Sequence, residues 1–347
     1  MPGSVHLIPR SRLGWIPTHL RLAHEYSFFL HDEGARILVE YEGARAHNVT
    51  LNFRDDAQAR KFNDIAERED IVTAMRTCGF ENEARRVVLN QTTMAMVSDS
   101  FHHIYEALRC LEKRKSIVAL NLLRKPLTDS LLYLSWMLAD EDDFYRNFLT
   151  NSPQGFKASI VKGRRIEILT GALARTEVEA VLEASFLDAA LFSPTCDWGF
   201  QKLFQHAVHL ITVERVEFRT TPESFNFIFK SHGDDDLYKL IYDILPHILL
   251  YFSHVILGLF EKIADPDQGG KSAFVARSII GLYLVEGGDN EVDALRQLGP
   301  LTQVRCCGCT ARLVMTAHNA ARLVLTESFR CTKCRRTQPF PFSWIFD

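Results

Sequence analysis

From Asp55 onward, apolar residues recur at intervals of three and four, the period of helices that bury one face. The spacing predicts helices over 55–68, 70–78, 82–112 and 115–140, then a short one opened by Asp142-Asp143 and running through Leu149. Further helices are predicted over 156–171, 176–191, 198–214, 235–263 and 272–285. Turn-forming clusters at Asn151-Ser152-Pro153, Ser193-Pro194-Thr195, Thr220-Thr221-Pro222 and Asp265 to Gly270 punctuate them. Pro126 removes an N–H inside the 115–140 helix and should kink it. Residues 222–230 read as an extended connection, and residues 1–20 as irregular. Arg36–Tyr41 and Asn48–Phe53 alternate, which predicts two short strands.

The most apolar stretch, Ile244 to Phe260, covers 17 positions broken by Pro246, His247, Ser253 and His254. A membrane-spanning helix needs about 20 apolar residues. This run is shorter, carries a proline and two histidines, and is bracketed by acidic residues before and Glu261-Lys262 after. It is expected to be the buried central helix of a bundle, with no membrane contact. The N-terminal 20 residues lack the apolar core of a secretion signal.

At 347 residues the chain exceeds one ordinary core. The pattern divides it into an N-terminal segment (1–54) with the short hairpin, a helical bundle (55–286), a Gly- and Pro-bounded linker (287–300) and a C-terminal unit (301–347). The expected fold class is mainly α: a helical bundle with a small C-terminal β ribbon and a short N-terminal β hairpin.

The C-terminal unit carries the strongest chemistry. Cys306 and Cys309 form one C-x-x-C pair, and Cys331 and Cys334 form another after 21 intervening residues. Four thiolates on two short turns make a tetrahedral zinc site, closed to water and substrate and therefore structural. Cys307 competes with Cys306, but C-x-C spacing does not make the usual knuckle turn. Unmodified C-x-x-C pairs suit a reducing, cytoplasmic setting. Cys78, Cys110 and Cys196 stand alone and read as small core residues.

Charge is uneven. The net charge is −3, yet residues 301–347 hold seven basic residues against Glu327 and Asp347. The basic set is Arg305, Arg312, Arg322, Arg330, Lys333, Arg335 and Arg336. A Zn(Cys)4 centre carries about two negative charges, so the surplus is mild. Between the cysteine pairs, Ala311 to Thr316 is nearly repeated by Ala321 to Thr326, which predicts a hairpin turning at 317–320. Phe340, Phe342, Trp344 and Phe346 alternate, which predicts a final strand with one aromatic face. With its two knuckles and hairpin, the unit resembles the rubredoxin-type zinc ribbons. Ribbons of this type serve nucleic-acid machines or dock proteins, so the seven basic residues and Trp344 are the candidate nucleic-acid or partner surface.

The helical body offers weaker chemistry. Asn121, Arg124, Lys125, Thr128 and Asp129 lie among leucines, as a polar stripe or a pocket. Histidines pair loosely at 102/103, 206/209 and 247/254, without the Glu-x-x-His motifs of di-iron bundles. Gly270-Lys271-Ser272 lacks the earlier glycine of a phosphate-binding loop, and no hydrolase, zinc-protease or kinase signature occurs. Lys115 to Phe148 resembles uncharacterised bacterial helical proteins grouped near the HEPN superfamily, whose ribonuclease members serve in toxin and phage-defence systems. The signature of that superfamily is Arg, four to six residues, then His. Arg146 begins it without the histidine, and Arg312 to His318 fits the spacing outside the bundle. The resemblance implies His206 or His209 meeting Arg124 or Arg146. The expected function is non-catalytic binding of a nucleic acid or protein partner through the zinc ribbon. A HEPN-like ribonuclease is the alternative, then a small-molecule sensor; a homo-oligomer is compatible with each.

Overall fold

The computed structural model describes residues 4–150, 156, 161–211, 219–222, 225–226, 235–287 and 289–345. It is mainly helical, with one two-stranded antiparallel sheet near the C-terminus. The early helices are α1 (Arg21–Gly43), α2 (Asp56–Arg68), α3 (Ile71–Thr77) and α4 (Glu81–Leu111). Asp55 and Asp70 cap α2 and α3, accepting from the backbone N–H groups of Gln58 and Thr73. Then come α5 (Ser116–Arg124), α6 (Leu131–Ala139), α7 (Glu141–Thr150), α8 (Arg165–Leu173), α9 (Ala184–Phe192) and α10 (Phe200–Val208). The late helices are α11 (Asp235–Glu261), α12 (Gln268–Val285), α13 (Asp289–Gln297), α14 (Gly299–Gln303) and α15 (Ala317–Thr326). Strands β1 (Ser328–Arg330) and β2 (Thr337–Pro339) close the chain.

Helix α11 is the axis of the core. Most of its length is apolar, and 83% of its most apolar 18-residue window is buried. Helix α1 lies along it, with α6 and α12 against other faces. Where α1 meets α12, Gly281 admits the ring of Tyr26, whose hydroxyl donates to the Ser278 carbonyl at 2.7 Å. A Cβ on Gly281 would lie 2.6 Å from that ring, so only glycine permits the approach. One apolar core runs from Val5 to Phe342, crossing the expected boundaries at 54 and 300.

Several expected elements differ. Arg36–Tyr41 is not a strand but the last part of α1. Ile37 continues the buried stripe of Tyr26, Phe29 and Leu30, and Arg36 bonds Glu33 and Glu40 one turn away on either side. Asn48–Phe53 forms no strand either. Its Leu51 and Phe53 fold onto a satellite cluster around Phe62, Met75 and Phe80. The linker at 287–300 contains α13 and begins α14, with Val292 and Leu295 buried. The turn at Asn151-Ser152-Pro153, the start of the 156–171 helix, the end of the 198–214 helix, most of the 222–230 connection and Phe346 lie outside the described residues.

Pro126 falls in a π-type turn, in which Lys125–Ser130 joins α5 to α6 in one wide coil. Thr128 donates its hydroxyl to the Arg124 carbonyl at 2.6 Å there.

Two histidines are sealed inside this core, His24 against Tyr242 and His254 against Ser278. Burial lowers both below the usual histidine value, His254 to about 3. Protons therefore bind the unfolded chain more readily, and stability is lost as pH falls below the ordinary value near 6.5. His254 should contribute a loss of about 1.4 kcal/mol per pH unit there, and His24 a loss in the same direction. Urea unfolding between pH 7 and 4 checks this; His254→Gln should flatten the slope, and an unchanged slope would show the histidine titrates freely.

Candidate metal centre

Each C-x-x-C pair sits on a tight turn set by backbone hydrogen bonds. In the first, the Cys306 N–H donates to the Ala311 carbonyl at 2.9 Å, and the Thr310 N–H returns to the Cys306 carbonyl at 2.9 Å. In the second, Cys331 donates to Arg336 at 2.8 Å and Arg335 returns to Cys331 at 3.0 Å. The residue after each second cysteine, Thr310 or Arg335, is left-handed, with φ of 58° and 64°. Two separate segments thus adopt one turn, at positions where a non-glycine residue resists it.

These turns bring the sulfurs of Cys306, Cys309, Cys331 and Cys334 within 4.8 Å of one another. Cys306 Sγ lies 3.5 Å from Cys334 Sγ, and Cys309 Sγ lies 3.6 Å from Cys331 Sγ. Disulfide sulfurs would be about 2.05 Å apart, and all four are free thiols. A tetrahedral ion with metal–sulfur bonds of about 2.3 Å requires sulfurs roughly 3.8 Å apart, so the cluster is sized for one metal ion. Cys307 is excluded. It is exposed, its N–H donates to Gln338 Oε1, and its sulfur faces Arg336.

Backbone dipoles favour thiolates here. The N–H groups of Gly308 and Cys309 lower Cys306, and those of Cys334 and Lys333 pull Cys331 down to about 6. Cys334 receives the Arg336 N–H, yet its three sulfur neighbours outweigh it and push the thiol up to about 11. Crowded sulfurs therefore compete for protons, a conflict that a divalent cation removes by binding all four as thiolates. Among the described residues, no other group of three or more histidine, cysteine or carboxylate side chains comes within ligating distance of a shared ion.

The segment between the knuckles is not the expected hairpin. The first copy of the repeat is extended: Arg312 bridges Arg305, and Leu313 donates to the Val304 carbonyl. The second copy is α15, capped by Thr316, which accepts from the Asn319 N–H. Ala320, Ala321, Leu323, Val324 and Leu325 are all buried, so this copy must present apolar residues around a helix. The unit is knuckle, helix, knuckle-hairpin, rather than a ribbon built on a central hairpin. The aromatic strand is also absent. After Pro341 the chain turns into a 3-10 helix, burying Phe340 and Phe342 and leaving Trp344 55% exposed.

The basic residues divide. Arg305, Arg312, Lys333, Arg335 and Arg336 are exposed around the knuckles, and Arg330 is half-buried. Arg322, expected at the surface, is buried instead. Its guanidinium donates to the Val5 carbonyl at 2.6 Å and to Ser328 Oγ at 2.7 Å. Glu25 on α1 accepts the Val5 N–H at 2.7 Å from the other side. The N-terminal segment is thus clamped between the body and the cysteine unit. Arg277 on α12 adds a second fastening, donating to the Val324 carbonyl at 2.7 Å and to Glu33 at 2.9 Å. Sequence reading missed Glu25 and Arg277; the signal was a charge inside an otherwise apolar helical stripe.

The residues implied by the HEPN resemblance lie on three helices, α5, α7 and α10, with His209 just past the end of α10. Helix α10 packs on α5, with Asn121 Nδ2 donating to the Ala207 carbonyl, so His206 and His209 lie beside the helix of Arg124. Arg146 is on α7, which packs on α6; its side chain is 73% exposed and 3.7 Å from Asp143. The polar pocket expected near Arg124 is an open cavity of about 320 Å3 lined by Asp99, Lys125, Asp129 and Tyr133, without Arg124. His318, at the other HEPN spacing, is on α15 beside the cysteine unit. No protein-family model matches this chain, and neither a curated protein nor a solved structure matches it.

Proposed function

We propose that the four cysteines hold one structural zinc ion and that the knuckles around it form a surface for the phosphates of a nucleic acid. The observation that carries this reading is that the basic side chains lack carboxylate partners and outnumber the about two negative charges of a zinc–thiolate centre. Among the described residues, none of the seven basic side chains from Arg305 to Arg336 has a carboxylate within ion-pair distance. In the helical body, arginines are repeatedly neutralised, as in Arg12–Glu112, Arg165–Asp188 and Arg277–Glu33. Five exposed cations without a carboxylate partner at one end, with exposed Trp344 on the same unit, suit a polyanion with stackable bases. Zinc fits four sulfur donors better than the harder divalent ions do. A closed four-sulfur site leaves no position for substrate, so the unit binds and does not catalyse. Reduced thiols accord with a cytoplasmic protein.

The test is a salt titration of binding to single-stranded RNA and to duplex DNA. Each phosphate contact should contribute a slope of about −0.7 (single strand) or −0.9 (duplex) in log K against log salt. Arg335→Glu with Arg336→Glu should flatten the slope by about two contacts and weaken binding at least tenfold at low salt. Arg322→Met, which alters a buried strut, should lower stability and leave the slope intact. Binding that ignores salt and both knuckle arginines would replace the nucleic-acid reading with a protein partner.

A further inference from the structure

We infer that the cavity between α1, α11 and the start of α12 is a binding site for a small organic cation: an ammonium head on an aromatic or aliphatic body. The cavity holds about 400 Å3, within the range of small-ligand sites of about 300–1,000 Å3. Its walls are apolar, formed by Ile37, Leu257 and Phe274 with the ring of Tyr41. The Tyr41 hydroxyl is committed to the Ala264 carbonyl at 2.7 Å, which fixes that ring.

The rim decides the charge. Arg36 and Lys271 are its two cations, and both are already occupied. Arg36 is 2.9 Å from Glu33 and 2.6 Å from Glu40, and Lys271 is 2.6 Å from Glu261 and 3.5 Å from Glu177. Asp267 caps α12 through the Gly270 N–H. Asp265 lines the same mouth, exposed, with no ion-pair partner among the described residues. Three carboxylates, Glu40, Asp265 and Asp267, therefore line the cavity beside these two cations, while Glu261, Glu177 and Glu33, the last shared with Arg277, hold the cations from outside it. An anion would have to displace an existing partner, whereas a cation meets Asp265 unopposed. The Tyr41 hydroxyl reports the same field: burial first, then Glu261, Asp265 and Glu40, raise it above its usual value. An apolar chamber with an acidic mouth selects an amphiphilic ammonium ion, its body taken from water and its head left at the rim. This site is separate from the cysteine unit and does not depend on the zinc or nucleic-acid reading.

Phenethylammonium is the probe, with 2-phenylethanol as its neutral analogue and phenylacetate as its anionic one. Calorimetry on the full chain should show saturable one-to-one binding of the ammonium ion, about tenfold weaker binding of the alcohol, and none of phenylacetate. Asp265→Lys should weaken the ammonium ion about tenfold. Ala46→Phe, at the half-exposed edge of the cavity, should abolish binding by filling it. Both variants should keep the parent's unfolding midpoint. Equal affinity for the alcohol, binding of phenylacetate, binding that survives Ala46→Phe, or no saturable binding of any of the three probes would overturn the assignment.

Discussion

Cys331→Ser should strip the metal and disorder the C-terminal unit. Cys331 is one of the two buried cysteines of the cluster, and its replacement removes a thiol and leaves three crowded sulfurs. Structural zinc contributes apparent binding free energies of about 10–16 kcal/mol in small cysteine sites, and that energy is folding energy. The two strands span three residues each, far too short to persist without the ion. Metal analysis should fall from about one ion per chain to none, and limited proteolysis should begin to cut between Val304 and Phe340. The disturbance should spread along a defined route. Helix α15 carries Arg322, and Arg322 holds the Val5 carbonyl, so amide exchange should quicken in the N-terminal segment as well. Cys307→Ser is the control and should retain the full metal content. A Cys331→Ser protein that keeps stoichiometric metal would refute the four-ligand centre.

Glu112→Gln should cost about 3–5 kcal/mol, a large share of an ordinary domain's 5–15 kcal/mol. Glu112 closes α4 with a side chain only 3% exposed. It accepts two donors from Arg12, lies 3.4 Å from Arg109 and 3.5 Å from His24. Glutamine keeps the shape and removes the charge, leaving two guanidinium groups around a site that no longer neutralises them. Burial raises the Glu112 carboxyl, but His24 and Arg12 outweigh it and leave it below the usual value. The stabilisation is therefore present above the ordinary carboxylate value and is lost as pH falls through the lowered one. Urea unfolding at pH 7 gives the number. A loss under about 1 kcal/mol would place the cluster among surface ion pairs.

The legible parts of the chain were those decided over a few residues. Asp55 and Asp70 start their helices by capping, Pro126 disrupts its helix by lacking an N–H, and each C-x-x-C pair makes its turn from six or seven consecutive residues. The four clustered cysteines could be chosen for the same reason, whereas the choice of Cys306 over Cys307 needed the structure, which places the Cys307 sulfur against Arg336 and outside the cluster. Arg36–Tyr41 failed because a short alternating window is shared by strands and by amphipathic helices. Only its continuation of the stripe from Tyr26 to Leu30 identifies it as α1.

The near-repeat separates local from tertiary control most clearly. Ala311 to Thr316 and Ala321 to Thr326 differ at one position, yet the first is extended and the second is helical. The first lies beside Val304 to Cys306 and completes their hydrogen bonds; the second is covered by α12 and must bury nearly every side chain. The same contact fixes the roles of the arginines. Arg322 falls on the covered copy and becomes a strut to Val5, while Arg335 and Arg336, on an uncovered turn, stay in water. The sequence by itself determined the helical content, the four cysteines that cluster and the excess of positive charge at one end. Tertiary structure alone decided which charges are buried, that residues 4–8 join body to cysteine unit, and where an acidic-mouthed cavity opens. Turn geometry and capping are satisfied within a few residues, but burial is a property of what the rest of the chain places against each one.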